Sequence, residues 1–405
     1  MSFEWIVALR FLREGRMQTL LIVAGVTIGV AVIIALSSLI AALQDSLIAR
    51  TLGTQAHITI RPAEEEAQLV RDRSTTAVAA RIEKRAQRLR SIDQWEAMLV
   101  EAERAPGVVA ASPMVAGDAF ATRGNAAESV ALQGVETERY RRIVDIDSRL
   151  VAGQFRLSGT DAVIGIELAG RLGLGVGDKL RLSTARGRDD VVTVVGVFDV
   201  GNKDLNRRWV FVPLKLAQNL QDLPGGVSTI DLTVREVFGA EAVAQALEAR
   251  SGLEVESWMA RNAQLLQALD NQRMTNRLIR IFVILIVALG IASVLVVSVV
   301  QKQKEIGILR AMGTSPQRVM RIFLIQGGLV GLGGSALGAG LGAGLLWLFS
   351  RTMTNADGTP LFTFEIDVEL FAAAVAIAVV TGLAAAVAPA RRASKLDPVA
   401  AIRYG

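Results

Sequence analysis

Arg273, Arg277 and Arg280 stand four and three residues apart, so they share one face of any helix that carries them. Guanidinium forks on one face bind phosphate or carboxylate oxygens bidentately. Two readings are open for them: snorkelling to the headgroup level of a membrane, or specific contact with a lipid phosphate. A second group lies in KQKEIGILRAMGTSPQRVMRIF, where Ile306, Leu309 and Met312 fall on neighbouring helical turns. Gly313 is a helix stop, and Ser315 followed by Pro316 is an N-cap with a first-turn proline. The spacing predicts a short helix, a sharp turn and a new helix. This is either an ordinary basic loop between two apolar segments or a helix that docks onto a partner.

Covalent and redox chemistry are poorly provided for. The chain has no cysteine, which excludes disulfides, thiolate metal sites and thiol nucleophiles. Its one histidine, His57, sits in AHITIRP, an alternating stretch that reads as a strand, and is taken as structural rather than as a zinc ligand or base. The phosphate-cradling pattern GxxxxGK[ST] is missing, and GLGVGDK has the wrong order. No catalytic, cofactor-binding or metal-binding residue is proposed. Any energy the protein uses must come from another chain.

The elements that position these groups follow from where charge is absent. All 83 charged side chains (44 basic, 39 acidic) avoid four windows, Met17–Gln44, Ile281–Gln301, Ile322–Ser350 and Leu370–Ala390. Each window is long enough, at about 1.5 Å per residue, to cross a hydrocarbon core of about 30 Å. The first is too long for a signal-peptide apolar region and reads as a retained span. No span holds a charge, which argues against transport driven by an ion gradient. The net charge of +5 reflects basic residues at membrane edges, not a nucleic-acid surface.

Short basic segments lie on the cytoplasmic side. Residues 1–16, 301–321 and 391–405 are basic, whereas 351–369 sets Arg351 against Asp357, Glu365, Asp367 and Glu369. The chain therefore reads as a cytoplasmic interfacial helix (1–16), with Trp5, Ile6, Leu9 and Leu12 on one side, and a first span (17–43). An extracytoplasmic domain with a stalk helix (44–280) and a second span (281–300) come next. A cytoplasmic loop (301–321), third span (322–350), outer loop (351–369), fourth span (370–390) and cytoplasmic tail (391–405) complete it. The fold class is membrane α-helical, four transmembrane helices, with a large mixed α/β extracytoplasmic domain inserted between helices 1 and 2. In that domain an amphipathic helix is expected over 79–104 (Ile82, Ala86, Leu89, Ile92, Trp95, Leu99). Strands are expected at 108–115, 130–134, 179–183 and 191–197, and a helical pattern from Leu253 to Arg280 runs into the second span.

The third span carries nine glycines, with Gly327/Gly331, Gly334/Gly338, Gly338/Gly342 and Gly340/Gly344 at i, i+4; Gly25 and Gly29 give the first span a similar notch. Such spacing lets helix backbones approach closely, within one chain or across a dimer.

The strings VALRFLREGRMQTLLIVAGVTIGVAVI, QKQKEIGILRAMGTSPQRVMRIFLIQG and PARRASKLDPVAAIRYG resemble the MacB/FtsX superfamily of ABC-transporter permeases, closest to its lipoprotein-releasing (Lol-type) branch. DAVIGIELAGRLGLGVGDKLRLS and VVTVVGVFDVG look like the small β subdomain of that family's external domain. The resemblance implies an assembly of two permeases, as a second copy or a paralogue, with two ABC ATPase subunits that carry ATP and Mg. A periplasmic carrier or adaptor and membrane lipids are further expected partners, and the bacterial inner membrane is the expected location. It further implies that Glu305, Ile306, Gly307, Leu309, Arg310, Met312 and Gly313 form the element that couples to the ATPase. Asp397 and Pro398 would start another short cytoplasmic helix. In this frame the three arginines become candidate contacts for a lipid or a lipid-modified cargo. Extraction of lipoproteins or other amphiphiles is the leading expectation. An adaptor-linked efflux pump and an FtsX-like regulator of a cell-wall hydrolase are the alternatives.

Overall fold

The computed structural model describes residues 3–63, 89–353 and 368–396. The chain forms two units, Ile48–Leu266 and Met1–Leu47 with Gln267–Gly405. In chain order the elements begin with α1 (Phe3–Glu14), α2 (Arg16–Leu52), β1 (Ile58–Arg61), α3 (Trp95–Arg104), β2 (Val108–Arg123), β3 (Ala126–Val135) and α4 (Thr137–Tyr140). Then come β4 (Leu150–Gly153), β5 (Asp161–Gly165), α5 (Ile166–Leu172), β6 (Lys179–Ser183), β7 (Asp189–Phe198), α6 (Lys203–Arg208), β8 (Trp209–Pro213) and α7 (Leu214–Leu220). The last are β9 (Thr229–Val234), α8 (Ala240–Ser251), β10 (Glu254–Ser257), α9 (Trp258–Arg261), α10 (Ala263–Gln301), α11 (Gln303–Ala311), α12 (Pro316–Thr352) and α13 (Val368–Ser394).

Four of these helices, α2, α10, α12 and α13, are long and apolar enough to cross a membrane. Their core is built from Val26, Val30, Ile34, Ile291, Leu295, Phe323, Val330 and Ala386. Glycine sets the helix separations. A Cβ on Gly327 would lie 2.6 Å from the Gly382 carbonyl of α13, and one on Gly338 would lie 2.7 Å from the Thr27 carbonyl of α2. Gly331 meets α13, Gly334 and Gly342 meet α2, and Gly29 meets Val287 of α10. Gly25, Gly340 and Gly344 have no such neighbour, so the notch expected at Gly25/Gly29 rests on Gly29 alone.

The α/β unit has a long strand shared between two cores. Val108–Met114 of β2 pairs with β9, in the row β10-β1-β9-β2. Beyond Met114 the same strand pairs with β3, and Phe120–Thr122 pairs with β6. The pairings β2-β3-β8-β5-β7-β6 return to β2, so these six strands close on themselves, with β3–β8 and β5–β7 parallel. Side chains alternate across the pleat. Val210 and Val212 enter a cluster with Val115, Leu132, Ile164 and Leu182, whereas Phe211 turns to a second cluster with Tyr140, Phe155 and Phe198. A third core, Ile58, Ile60, Leu232, Leu247 and Trp258, lies under α3, α8 and α9.

Two expected helices are shorter than their patterns. The described part of the 79–104 helix begins only at Trp95. Before it, Ile92 N–H donates to the Val227 carbonyl at 2.8 Å and Ser91 Oγ accepts from Val227 N–H at 3.1 Å, bonds that hold the chain against the β8–β9 connection. The pattern from Leu253 likewise breaks: Glu254–Ser257 alternates out and in and pairs with β1, so helix resumes only at Trp258 and Ala263. Ile82 and Ala86, the acidic residues Asp357, Glu365 and Asp367, and the Asp397–Pro398 pair lie outside the described residues.

Candidate functional site

The segment 301–321 folds as helix, turn and helix. Helix α11 ends at Ala311, Gly313 takes a positive φ of 93°, and Ser315 Oγ accepts from Arg318 N–H at the start of α12. A side chain at Gly313 would be strained, which explains glycine at the stop. The residues then divide by direction. Ile306 is 1% exposed and Gly307 is buried, both packed inward; Leu309 is half-buried. Arg310 Nη1 donates to the carbonyls of Ser394 (2.7 Å) and Leu396 (2.9 Å), capping the orphan C-terminal end of α13. Glu305 accepts from Lys302 Nζ at 2.7 Å, and Lys302 also bonds Glu14 of α1. The hydrogen bond from Glu14, then that from Glu305, holds the Lys302 ammonium above its usual range; the same contact, with Arg10, holds the Glu14 carboxyl below its own.

What α11 turns outward is a different set: Lys304, Ile308 (45% exposed), Ala311 and Met312 (71% exposed). Among the residues singled out for coupling, only Met312 and Gly313 belong to this exposed face. Lys304 and Ile308 share that face and were not singled out, although the i, i+4, i+8 spacing of Lys304, Ile308 and Met312 marks one side of a helix. Helix α1 supports the arrangement. Its Phe11 ring sits 6.4 Å from Phe323, Ala8 is fully buried, and Trp5, Ile6 and Leu9 remain exposed.

The three arginines also divide. Arg280 Nη2 donates to Ser37 Oγ at 2.9 Å and Arg273 Nε to Gln44 Oε1 at 3.3 Å. Ser37 and Gln44 are seven residues apart, as are Arg273 and Arg280, the repeat of two antiparallel helices in continuous contact. Arg277 is exposed. In the α/β unit His57 Nδ1 lies 3.1 Å from both the backbone nitrogen and the carbonyl oxygen of Val234, and burial pushes its pKa down. Among the described residues no cluster of His, Asp and Glu could hold a metal.

Residues 19–250 match the family model of the MacB-like periplasmic core domain, and residues 277–398 match that of the FtsX-like permease C-terminal region. The chain is similar to the lipoprotein-releasing system transmembrane protein LolC of Neisseria meningitidis serogroup B. The two are 26% identical over 437 aligned residues, covering 100% of this chain and 99% of that protein. LolE of Haemophilus influenzae is 23% identical, covering 76% and 80%. The macrolide export ATP-binding/permease protein MacB of Neisseria gonorrhoeae is 27% identical, covering 52% of this chain and 33% of that protein.

Proposed function

Because the chain belongs to the MacB/FtsX superfamily of permeases, with a MacB-like periplasmic core domain and an FtsX-like C-terminal region, we propose that it is the membrane subunit of an ABC transporter driven by a separate ATPase. The observation that carries this reading is α11. It is a short helix fixed to α1 through Lys302 and to the end of α13 through Arg310, while an apolar and cationic face is left outward. An immobilised helix with a free apolar face is what a docking partner needs. The ATPase would hold ATP and Mg; this chain would hold neither. Ile308, Met312 and Lys304 make the contact, and Glu305, Ile306, Gly307, Leu309 and Arg310 keep the helix in place.

In this proposal residues 1–16, 301–321 and 391–405 are cytoplasmic, and residues 44–280 form a periplasmic insertion between the first and second spans. Helices α2 (37 residues) and α10 (39 residues) are about 55–60 Å long, well beyond a hydrocarbon core of about 30 Å, and each continues into the α/β residues. They are the parts able to carry motion from the ATPase to the outer domain. Two ATPase copies, a second permease copy or a paralogue, and a periplasmic carrier complete the complex. The cargo is a lipoprotein or another amphiphile of the outer leaflet, with exposed Arg277 the headgroup contact. Similarity to LolC along the whole chain supports release over efflux, since the match to MacB covers only part of either protein.

Co-purification with the cognate ATPase in mild detergent, followed by hydrolysis assays with candidate lipoproteins and small amphiphiles, tests the proposal. Hydrolysis stimulated by lipoprotein is expected. Failure of any ATPase to co-purify would overturn the ATPase-driven reading, and stimulation by small amphiphiles with an adaptor alone would favour efflux.

A further inference from the structure

The spans enclose a cleft that takes no part in the proposed docking face of α11. It lies between α2, α10 and α13 and is lined by Gly29, Ile33, Ile284, Val287, Ala374 and Ile377, with Arg280 as its one charged residue. Arg280 directly precedes the charge-free window of α10, at the level where headgroups meet hydrocarbon. From Arg280 to Val287 the cleft follows α10 for about 10 Å. Its apolar walls lose dispersion contacts if nothing lies against them. Arg280 has a separate deficit: Nη2 donates to Ser37, but Nε is buried without a hydrogen-bond partner. A buried guanidinium N–H left unpaired is costly.

One molecule answers both needs. We propose that this cleft binds an anionic glycerophospholipid, with an acyl chain along Ile33, Ile284 and Ile377 and a phosphate oxygen accepting from Arg280 Nε once the guanidinium turns into the cleft. The uncompensated negative charge of the phosphate selects this occupant: in a zwitterionic lipid the ammonium beside the phosphate offsets its attraction for the Arg280 guanidinium. The thioether-linked anchor of a lipoprotein brings acyl chains and neutral carbonyls but no phosphodiester, so it fills the walls without offering the guanidinium an anionic partner. The cleft is thus a site for a resident lipid, formed within a single chain and separate from any cargo path. The proposal rests on the four helices spanning a bilayer and not on the identity of the cargo or the ATPase.

The test uses the full chain, delipidated in mild detergent and incubated with phosphatidylglycerol or phosphatidylethanolamine, with bound lipid counted by native mass spectrometry. The wild-type chain is expected to retain phosphatidylglycerol in preference to phosphatidylethanolamine. Arg280→Gln should weaken retention roughly tenfold, the loss of one charge-assisted hydrogen bond. Ile377→Trp, which fills the cleft with an apolar group, should weaken it similarly. Ser37→Ala removes the link to α2 but keeps the cation, and should retain the lipid. The proposal is overturned if Arg280→Gln or Ile377→Trp binds like wild type, or if both lipids bind equally. It is also overturned if Ser37→Ala loses as much lipid as Arg280→Gln, which would make Arg280 a register device. Displacement by a phosphate-free triacylated lipopeptide would likewise overturn it, by reassigning the cleft to cargo.

Discussion

Arg261 sits where the chain leaves the α/β unit, and its bonds reach back to where the chain enters. Its Nη1 donates to Thr59 Oγ1 at 2.8 Å and its Nη2 to the Ala56 carbonyl at 2.6 Å, while Thr59 Oγ1 donates to Asp231 Oδ1 at 2.9 Å. Burial pushes the Asp231 carboxyl up, and the Thr59 hydroxyl and the charges of Arg261 and Arg61 pull it back. Arg261→Ala should therefore cost about 3 kcal/mol or more, because the buried Asp231 carboxyl loses the larger of its two cationic contributions and Thr59 loses its guanidinium partner. Adding Asp231→Asn should recover much of that cost. Hydrogen exchange at β1 and β9 reads the effect directly; unchanged protection in Arg261→Ala would show that the network contributes little. His57 gives a second prediction. Its folded pKa lies below the ordinary value, so the unfolded chain binds more protons and stability is lost as pH falls below about 6.5. The melting temperature should drop between pH 7.5 and 5.5, and His57→Gln should remove part of that drop. An identical pH dependence in the variant would clear His57 of the effect.

For the elements, orientation matters more than composition. Ile308→Asp or Met312→Asp should leave the chain inserted and folded but release the ATPase, seen as loss of co-purification. Ile306→Asp buries a charge and should reduce accumulation of the chain instead. If Ile308→Asp still binds the ATPase and couples its hydrolysis to transport, the exposed face of α11 is not the docking surface. A parallel contrast holds in α12. Gly331→Leu meets the Ala378 carbonyl, 3.0 Å from the position of a Cβ, and should cost about 1–3 kcal/mol by overpacking, whereas Gly340→Leu meets nothing and should be neutral. Thermal stability in detergent separates the two. These contrasts also show what could be read from the sequence. The turn at Gly313 and the cap at Ser315 were legible because they are local chemistry, fixed within four residues. The direction of α11 was not, since Ile306, Leu309 and Met312 fit helical spacing as well as Lys304, Ile308 and Met312 do. Only Arg310 reaching Ser394, and Lys302 reaching Glu14, decide which face is held. Likewise i, i+4 glycines announce close packing but not the partner, and Gly382, which meets Gly327, has no such spacing to mark it.

At the scale of the whole molecule, the four spans were legible because charge is excluded from hydrocarbon at every position of a window. The closure of β2 onto β6 was not, because it depends on pairing strands some sixty residues apart, which no local pattern encodes. Sidedness is likewise a property of the whole chain, and the functional proposal depends on it: an ATPase reaches α11 only if the 301–321 segment faces the cytoplasm while the α/β unit faces out. The lack of any native cysteine allows a direct measurement. Ala185 is exposed in the α/β unit and Met312 is exposed on α11. In intact spheroplasts a membrane-impermeant maleimide should label Ala185→Cys at once and Met312→Cys only after lysis. Labelling of both from outside, or of neither, would break the separation on which the proposed force transfer depends. The reverse pattern would put the α/β unit in the ATPase compartment, and α2 and α10 would then have no motion to carry across the membrane.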